Sequence, residues 1–271
     1  MENSRIAQQG LVLLGCGKMG SAMLEGWLSR GLPAASVSVI DPFPSDWLQS
    51  TGVALNGELP PAPAVVLVAV KPQMMADALP RLQAMGGGST VFVSVAAGIT
   101  IDYFESILGA DTPVVRAMPN TPAAISKGIT AITGNGAAGE ASLSEAEELL
   151  SAVGEVVRVE TEADIDAVTG VSGSGPAYVF HMIETLAAAG AAEGLPPELA
   201  MRLATATVAG AGALAQAADV GPDQLRINVT SPNGTTQAAL EVLMDEENGF
   251  PALMKRAVRA ATERSRELAN G

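Results

Sequence analysis

The chain has 271 residues and a formal net charge of −14, with 48% hydrophobic residues but only 3% aromatics. That acidity supplies no basic stripe to neutralise phosphates, which excludes nucleic acid as an expected partner. Cys16 and His181 are the sole cysteine and histidine, so an intrachain disulfide, a Cys/His metal cluster and a Ser-His-Asp arrangement are all excluded or implausible; no metal is expected.

The length suits two domains. A core drawn mainly from Ala, Val and Leu lets helix backbones approach closely, which favours large helical interfaces. Met1 to Gly10 is short and polar, without a secretory signal before Leu11. The longest uncharged helical run, Leu203 to Ala218, is too short and too rich in Ala, Gly and Thr to span a bilayer. A cytoplasmic protein with no membrane contact is expected.

Leu11-Val-Leu-Leu14 reads as a buried strand. It enters Gly15-Cys16-Gly17-Lys18-Met19-Gly20 and then a helical pattern from Ser21 to Arg30. Strand, Gly-x-Gly-x-x-Gly and helix in that order is the dinucleotide fingerprint in its required context. Gly15 makes the tight turn, Gly17 admits a pyrophosphate to the backbone, and Gly20 lets helix and strand pack closely. Ser36 to Ile40 is the next strand, followed by Asp41, 21 residues after Gly20. An acid there takes adenosine ribose hydroxyls and repels a 2′-phosphate; alternatively, Asp41 merely opens the turn at Pro42. No Arg or Lys stands beside it in Asp41-Pro-Phe-Pro44, so NADH is favoured over NADPH on this local evidence.

Ala64 to Val70 is apolar on both faces, as a central parallel strand should be. Lys71-Pro72 follows at its carboxyl end, where ligands of open α/β sheets bind, so Lys71 either faces cofactor phosphates or is a solvated strand end. A helix is predicted over Gln73 to Met85, a strand over Thr90 to Val95 followed by Ala96-Ala97-Gly98, and another over Thr112 to Met118. Pro119-Asn120-Thr121-Pro122 then makes a stiff polar loop at the sheet edge. Short strands at Gly128 to Thr133 and Glu155 to Glu160 flank a helix from Ser144 to Val153.

From Ala163 the pattern is helical only: about 163–170, Gly175 to Glu193, Pro197 to Ala218, Pro222 to Val229, Gln237 to Glu247 and Phe250 to Leu268. The expected fold is therefore α/β, with a Rossmann-like doubly wound sheet over 1–162 and an all-α domain over 163–271. Within the second domain, Leu225 to Thr236 stops two Ala-rich helical runs. Pro232 cannot donate a backbone hydrogen bond, Asn233-Gly234 tolerates positive φ, and Thr235 or Thr236 can cap the helix beginning at Gln237. Such a helix start presents free N–H groups to a carboxylate or phosphate.

Taken together, Gly15 to Gly20, Ala69-Val70-Lys71-Pro72, Ala96-Ala97-Gly98, Arg116 to Pro122, Val171 to Tyr178 and Leu225 to Thr236 resemble pyrroline-5-carboxylate reductases over nearly the whole chain. The resemblance implies reduction of 1-pyrroline-5-carboxylate to L-proline with NADP(H) or NAD(H). It also implies a homodimer or larger homo-oligomer through interlocked C-terminal helices. Leu14 to Met19 would hold the pyrophosphate and Asn56 would reach the adenosine ribose. Ala69 to Pro72, with Val95, Ala96 and Ala97, would line the nicotinamide end, and Asn120 belongs to the same cofactor set. Ser231, Gly234 and Thr235 would take the substrate carboxylate, and the Thr236 hydroxyl would face the ring nitrogen.

Two positions depart from the family pattern: Asn233 replaces a usual Gly, and Asp219 stands near a family Glu. The rivals are a β-hydroxyacid dehydrogenase-like enzyme, an imine reductase acting on another small acid, and a nucleotide-sensing scaffold. The first needs a Lys on the first long helix of the second domain, and 163–220 contains none.

Overall fold

The computed structural model describes residues 4–270. A short helix α1 (Arg5–Gln9) leads into β1 (Leu11–Leu14), α2 (Lys18–Ser29), β2 (Val37–Ile40), α3 (Asp46–Ser50), β3 (Ala54–Leu55) and β4 (Val65–Val68). After these come α4 (Met75–Ala78), β5 (Val91–Ser94), α5 (Ile101–Leu108), β6 (Val114–Met118), β7 (Gly128–Gly134), α6 (Glu140–Leu150) and β8 (Gly154–Arg158). The remainder is helical: α7 (Glu162–Val168), α8 (Gly175–Ala192), α9 (Pro197–Ala217), α10 (Pro222–Asn228), α11 (Thr235–Leu243) and α12 (Phe250–Asn270).

The strands form one sheet in the order β3-β2-β1-β4-β5-β6-β7-β8, with every neighbouring pair parallel except β6 and β7. The first six follow the doubly wound order, with its reversal between β1 and β4. Continuous apolar strand sequences are explained by burial on both faces. Leu11 and Leu13 join a core with Trp27 and Leu149 on one face, while Val12 and Leu14 join a core with Phe92 and Phe104 on the other. Trp27 is fully buried, and its indole N–H donates to the Leu149 carbonyl at 2.9 Å, so the ring leaves no polar atom unpaired.

The predicted helix from Gln73 to Met85 is broken. A 3-10 turn at Pro72–Met74, the single turn α4 and a 3-10 run at Leu79–Met85 replace it. Pro80 withholds an N–H inside the predicted range, so no continuous i→i−4 ladder can form. Helix α6 starts four residues ahead of the prediction, at Glu140, because Gly139 serves as its N-cap. The expected 163–170 helix ends at Val168 and continues as a π-helical turn, Thr169–Gly173.

Packing divides the chain into two compact units, one running through Gly173 and rejoined by the segment from Ala261, the other Ser174–Ala260. Strand formation ends at Arg158, near the expected boundary at 162/163, yet α7 and the π turn pack with the sheet unit. In the second unit α8 and α9 meet through small side chains. Ala187, Ala200 and Ala204 form their buried contact, and a Cβ on Gly190 would lie 3.6 Å from that of Ala200. No helix among the described residues is long and apolar enough to cross a membrane.

Candidate active site

The loop after β1 assigns each glycine a separate physical role. Gly15 has φ +88°, and a Cβ there would lie 2.9 Å from Val70 Cγ1. Gly20, in the first turn of α2, faces the Gly15 carbonyl so closely that a Cβ would strike its oxygen. Gly17 is the N-cap of α2 and has nothing within 4 Å of where a Cβ would stand. A crowded turn, a crowded helix–strand contact and an open cap are what a diphosphate approaching a helix N-terminus needs, so Leu14 to Gly20 fit a dinucleotide.

Asp41 is tied into this loop. Its Oδ2 accepts the Cys16 N–H at 2.8 Å, and its Oδ1 accepts the Phe43 N–H at 2.8 Å. The second contact is the turn-opening role; the first was not anticipated and fixes the glycine loop to the end of β2. Cys16 is half-buried, and burial, with Asp41 nearby, pushes its thiol up to about 11. Asn56, at φ +52°, uses its amide as a false strand residue. Its Oδ1 accepts the Asp41 N–H at 2.9 Å and its Nδ2 donates to the Asp41 carbonyl at 2.7 Å. Asn56 and Leu14 also line a cavity of about 420 Å³, together with Ile40, Pro42, Val70 and Arg81. The cavity lies at the carboxyl ends of β1, β2 and β4, the side that ligands of such sheets occupy.

Ala69 follows β4, with its N–H donated to the Leu14 carbonyl at 2.8 Å. Lys71 is exposed beyond it, and its carbonyl caps the following 3-10 turn by accepting the Met74 N–H at 2.9 Å. Across the sheet edge, Val95 donates its N–H to Val68 at 3.0 Å, leaving Ala96 buried and Ala97 exposed. The Asn120 amide is engaged at both ends. Nδ2 donates to the Ser172 carbonyl at 3.1 Å and Oδ1 accepts the Ile129 N–H at 3.0 Å. Its side chain thereby locks the 119–122 loop to β7 and the π turn.

The bend at 231–236 lies in the second unit. Asn233 has φ +60°, the left-handed conformation that Gly or Asn adopts most easily, which accounts for its standing at a family Gly. The N-cap is Gly234, not a threonine: Thr235 opens α11, and Thr236 follows it into the first turn. Gln237 reaches back to accept the Asn233 N–H at 2.8 Å, while Gly234 donates its N–H to the Ser231 carbonyl at 3.0 Å. The hydroxyls of Ser231, Thr235 and Thr236 make no hydrogen bond among the described residues. The helix start thus offers unpaired N–H and O–H groups to an anion.

A family model for pyrroline-5-carboxylate reductase dimerisation matches residues 162–268, and one for NADP oxidoreductase, coenzyme F420-dependent, matches 10–98. Pyrroline-5-carboxylate reductase of Pseudomonas aeruginosa is 40% identical over 265 residues, which cover 96% of both chains. The chain belongs to the pyrroline-5-carboxylate reductase family. The Pisum sativum reductase is 37% identical over 264 residues, covering 95% of each chain. The solved Coxiella burnetii reductase superposes with a TM-score of 0.90 at 31% identity, covering 96% of this chain and 98% of that one. The Plasmodium falciparum pyrroline carboxylate reductase, solved with NADP bound, gives 0.84 at 28% identity and 99% coverage of both.

Membership in the reductase family sets aside the β-hydroxyacid dehydrogenase alternative. One feature of the sheet unit escaped the sequence reading. Arg116 is buried in β6, and its Nη1 donates to Glu162 Oε1 at 2.7 Å, across 46 positions of chain. The only sequence signal for it is a charged residue inside an otherwise apolar strand.

Proposed function

We propose that this protein is a pyrroline-5-carboxylate reductase, adding hydride and a proton across the C=N bond of 1-pyrroline-5-carboxylate to form L-proline, the last step of proline synthesis. The observation that carries this reading is the bend before α11, with unpaired hydroxyl and N–H groups at a helix start, in a chain whose glycine loop fits a dinucleotide. Reduced NADP or NAD supplies the hydride when bound. Leu14 to Met19 hold its diphosphate, and Ala69 to Pro72 with Val95 to Ala97 line the nicotinamide end. Ser231, Gly234 and Thr235 bind the substrate carboxylate. The Thr236 hydroxyl hydrogen-bonds the ring nitrogen, which takes its proton from water. Holding the imine carbon in a fixed orientation is the main work of the protein, and it requires no His or Cys.

The helical unit leaves Phe180, Leu214, Ile227 and Val242 exposed, which supports assembly of at least two copies through this unit. We place the enzyme in the cytoplasm. The test is loss of reduced-nicotinamide absorbance on adding pyrroline-5-carboxylate, run with NADPH and NADH in parallel and with proline identified as product. Nucleotide binding without turnover would instead support the scaffold reading.

A further inference from the structure

The turn from Val95 to Thr100 joins β5 to α5 and is tied down at three places. At its start, Val95 donates its N–H to Val68 O at 3.0 Å and Ala96 donates to Ser94 Oγ at 3.3 Å. At its end, Ile101 opens α5 with one of the N–H groups that a helix cannot satisfy internally. That N–H donates to Glu162 Oε1 at 2.8 Å, and the same oxygen accepts from Arg116 Nη1. Arg116 is 4% exposed and stands opposite Ser94 in the sheet, so Glu162 ties the start of α5 to a fixed point on a central strand. In the middle, Gly98 has φ +74°, and a Cβ there would lie 3.0 Å from Leu268 Cβ. The segment carrying Leu268 is held in turn by Ser265, whose hydroxyl donates to Asp166 Oδ1 at 2.6 Å. Glu162 and Asp166 are four residues apart on α7 and so share a face. One short helix therefore carries both outer supports of the turn.

We propose that Glu162 and Ser265 are positioning residues that keep the Val95–Thr100 turn in its nucleotide-receiving shape; this rests on the assignment of Val95 to Ala97 to the nicotinamide end. Neither residue is assigned a contact with the cofactor. Without them the turn samples other shapes, and binding must then bear the cost of ordering it. A role confined to stability would lower the melting temperature while leaving the affinity of the folded enzyme unchanged.

The test titrates NADPH and NADH by fluorescence against wild type and the variants E162A, E162Q, S265A and A97L, with melting temperature and KM for each substrate measured alongside. E162A is expected to raise the nucleotide Kd about tenfold, the worth of one charge-assisted hydrogen bond, while KM for the imine changes less. E162Q should bind within about twofold of wild type, because its amide oxygen can accept from both Ile101 and Arg116. S265A should raise Kd about threefold by losing the hydrogen bond to Asp166 that holds the Leu268 backbone and Cβ against Gly98. A97L puts bulk into the turn itself and should weaken nucleotide binding more than any of these. Unchanged affinity in A97L would remove the turn from the nicotinamide end and overturn both readings. Weakened A97L with wild-type affinity in E162A and S265A would overturn the positioning role alone. If E162A does not fold, S265A decides the matter in the same way.

Discussion

Replacing Gly17 and Gly20 separately by alanine should divide binding from stability within one loop. A Cβ at Gly20 meets the Gly15 carbonyl, a backbone group that cannot rotate away, so the upper end of the overpacking range, about 3 kcal/mol, applies. Alanine recovers about 1 kcal/mol of helix propensity in α2, for a net loss of about 2 kcal/mol. At about 2–4 °C per kcal/mol for a chain of this size class, the melting temperature falls by roughly 4–8 °C. At Gly17 φ is −72°, open to any residue, and no neighbour lies within 4 Å, so G17A should melt within about 1–2 °C of wild type. Its methyl group stands where the diphosphate approaches and breaks one or two charge-assisted N–H contacts, raising nucleotide Kd about 10- to 100-fold. Circular dichroism melts and nucleotide fluorescence titrations read the two effects. Wild-type affinity in G17A, or a wild-type melt in G20A, would refute this account of the loop.

T236A should lower kcat/KM about 10- to 100-fold, equivalent to about 1–3 kcal/mol, at an unchanged melting temperature, since its hydroxyl has no partner among the described residues. Kinetics equal to wild type would remove Thr236 from the ring nitrogen. N233V should destabilise by about 1–3 kcal/mol, because a β-branched residue is forced to the φ of +60°, whereas N233G should be nearly neutral; chemical denaturation distinguishes them. Cys16 should resist iodoacetamide near neutral pH and react about tenfold faster per pH unit up to about 11, where its thiolate forms. The folded value lies above the unfolded one, so the associated stability is complete below about 9 and is lost as pH rises from there through about 11. A C16S variant should lose that part of the alkaline decline in pH-dependent melts.

The parts of this molecule that were legible in its sequence are those whose causes are local. The strand–Gly15–Gly17–Gly20–helix order contains its own geometry, and Asn233 announced a left-handed residue by its type. Contacts between distant positions were hidden. Asp41 was expected either at the ribose or opening the turn at Pro42; its oxygens accept the N–H groups of Phe43 and Cys16, and the second of these contacts, 25 positions away, had no sequence signal. The hydrogen bonds of Asn120 to Ser172 and Ile129 were hidden in the same way. Apolar spacing over 73–85 read as one helix because hydrophobic periodicity does not register the missing N–H of Pro80. The cap of α11 is Gly234 and not Thr235 or Thr236, since the helix starts at Thr235, and Gln237 reaches back to the Asn233 N–H.

The helical unit encloses only the side chains of Ala187, Ala200 and Ala204 among its apolar residues, while much larger ones lie bare. Such a unit has little interior of its own, and the self-assembly proposed above would supply the rest. On that proposal its survival depends on how many copies share a given volume, and dilution should lower its melting temperature.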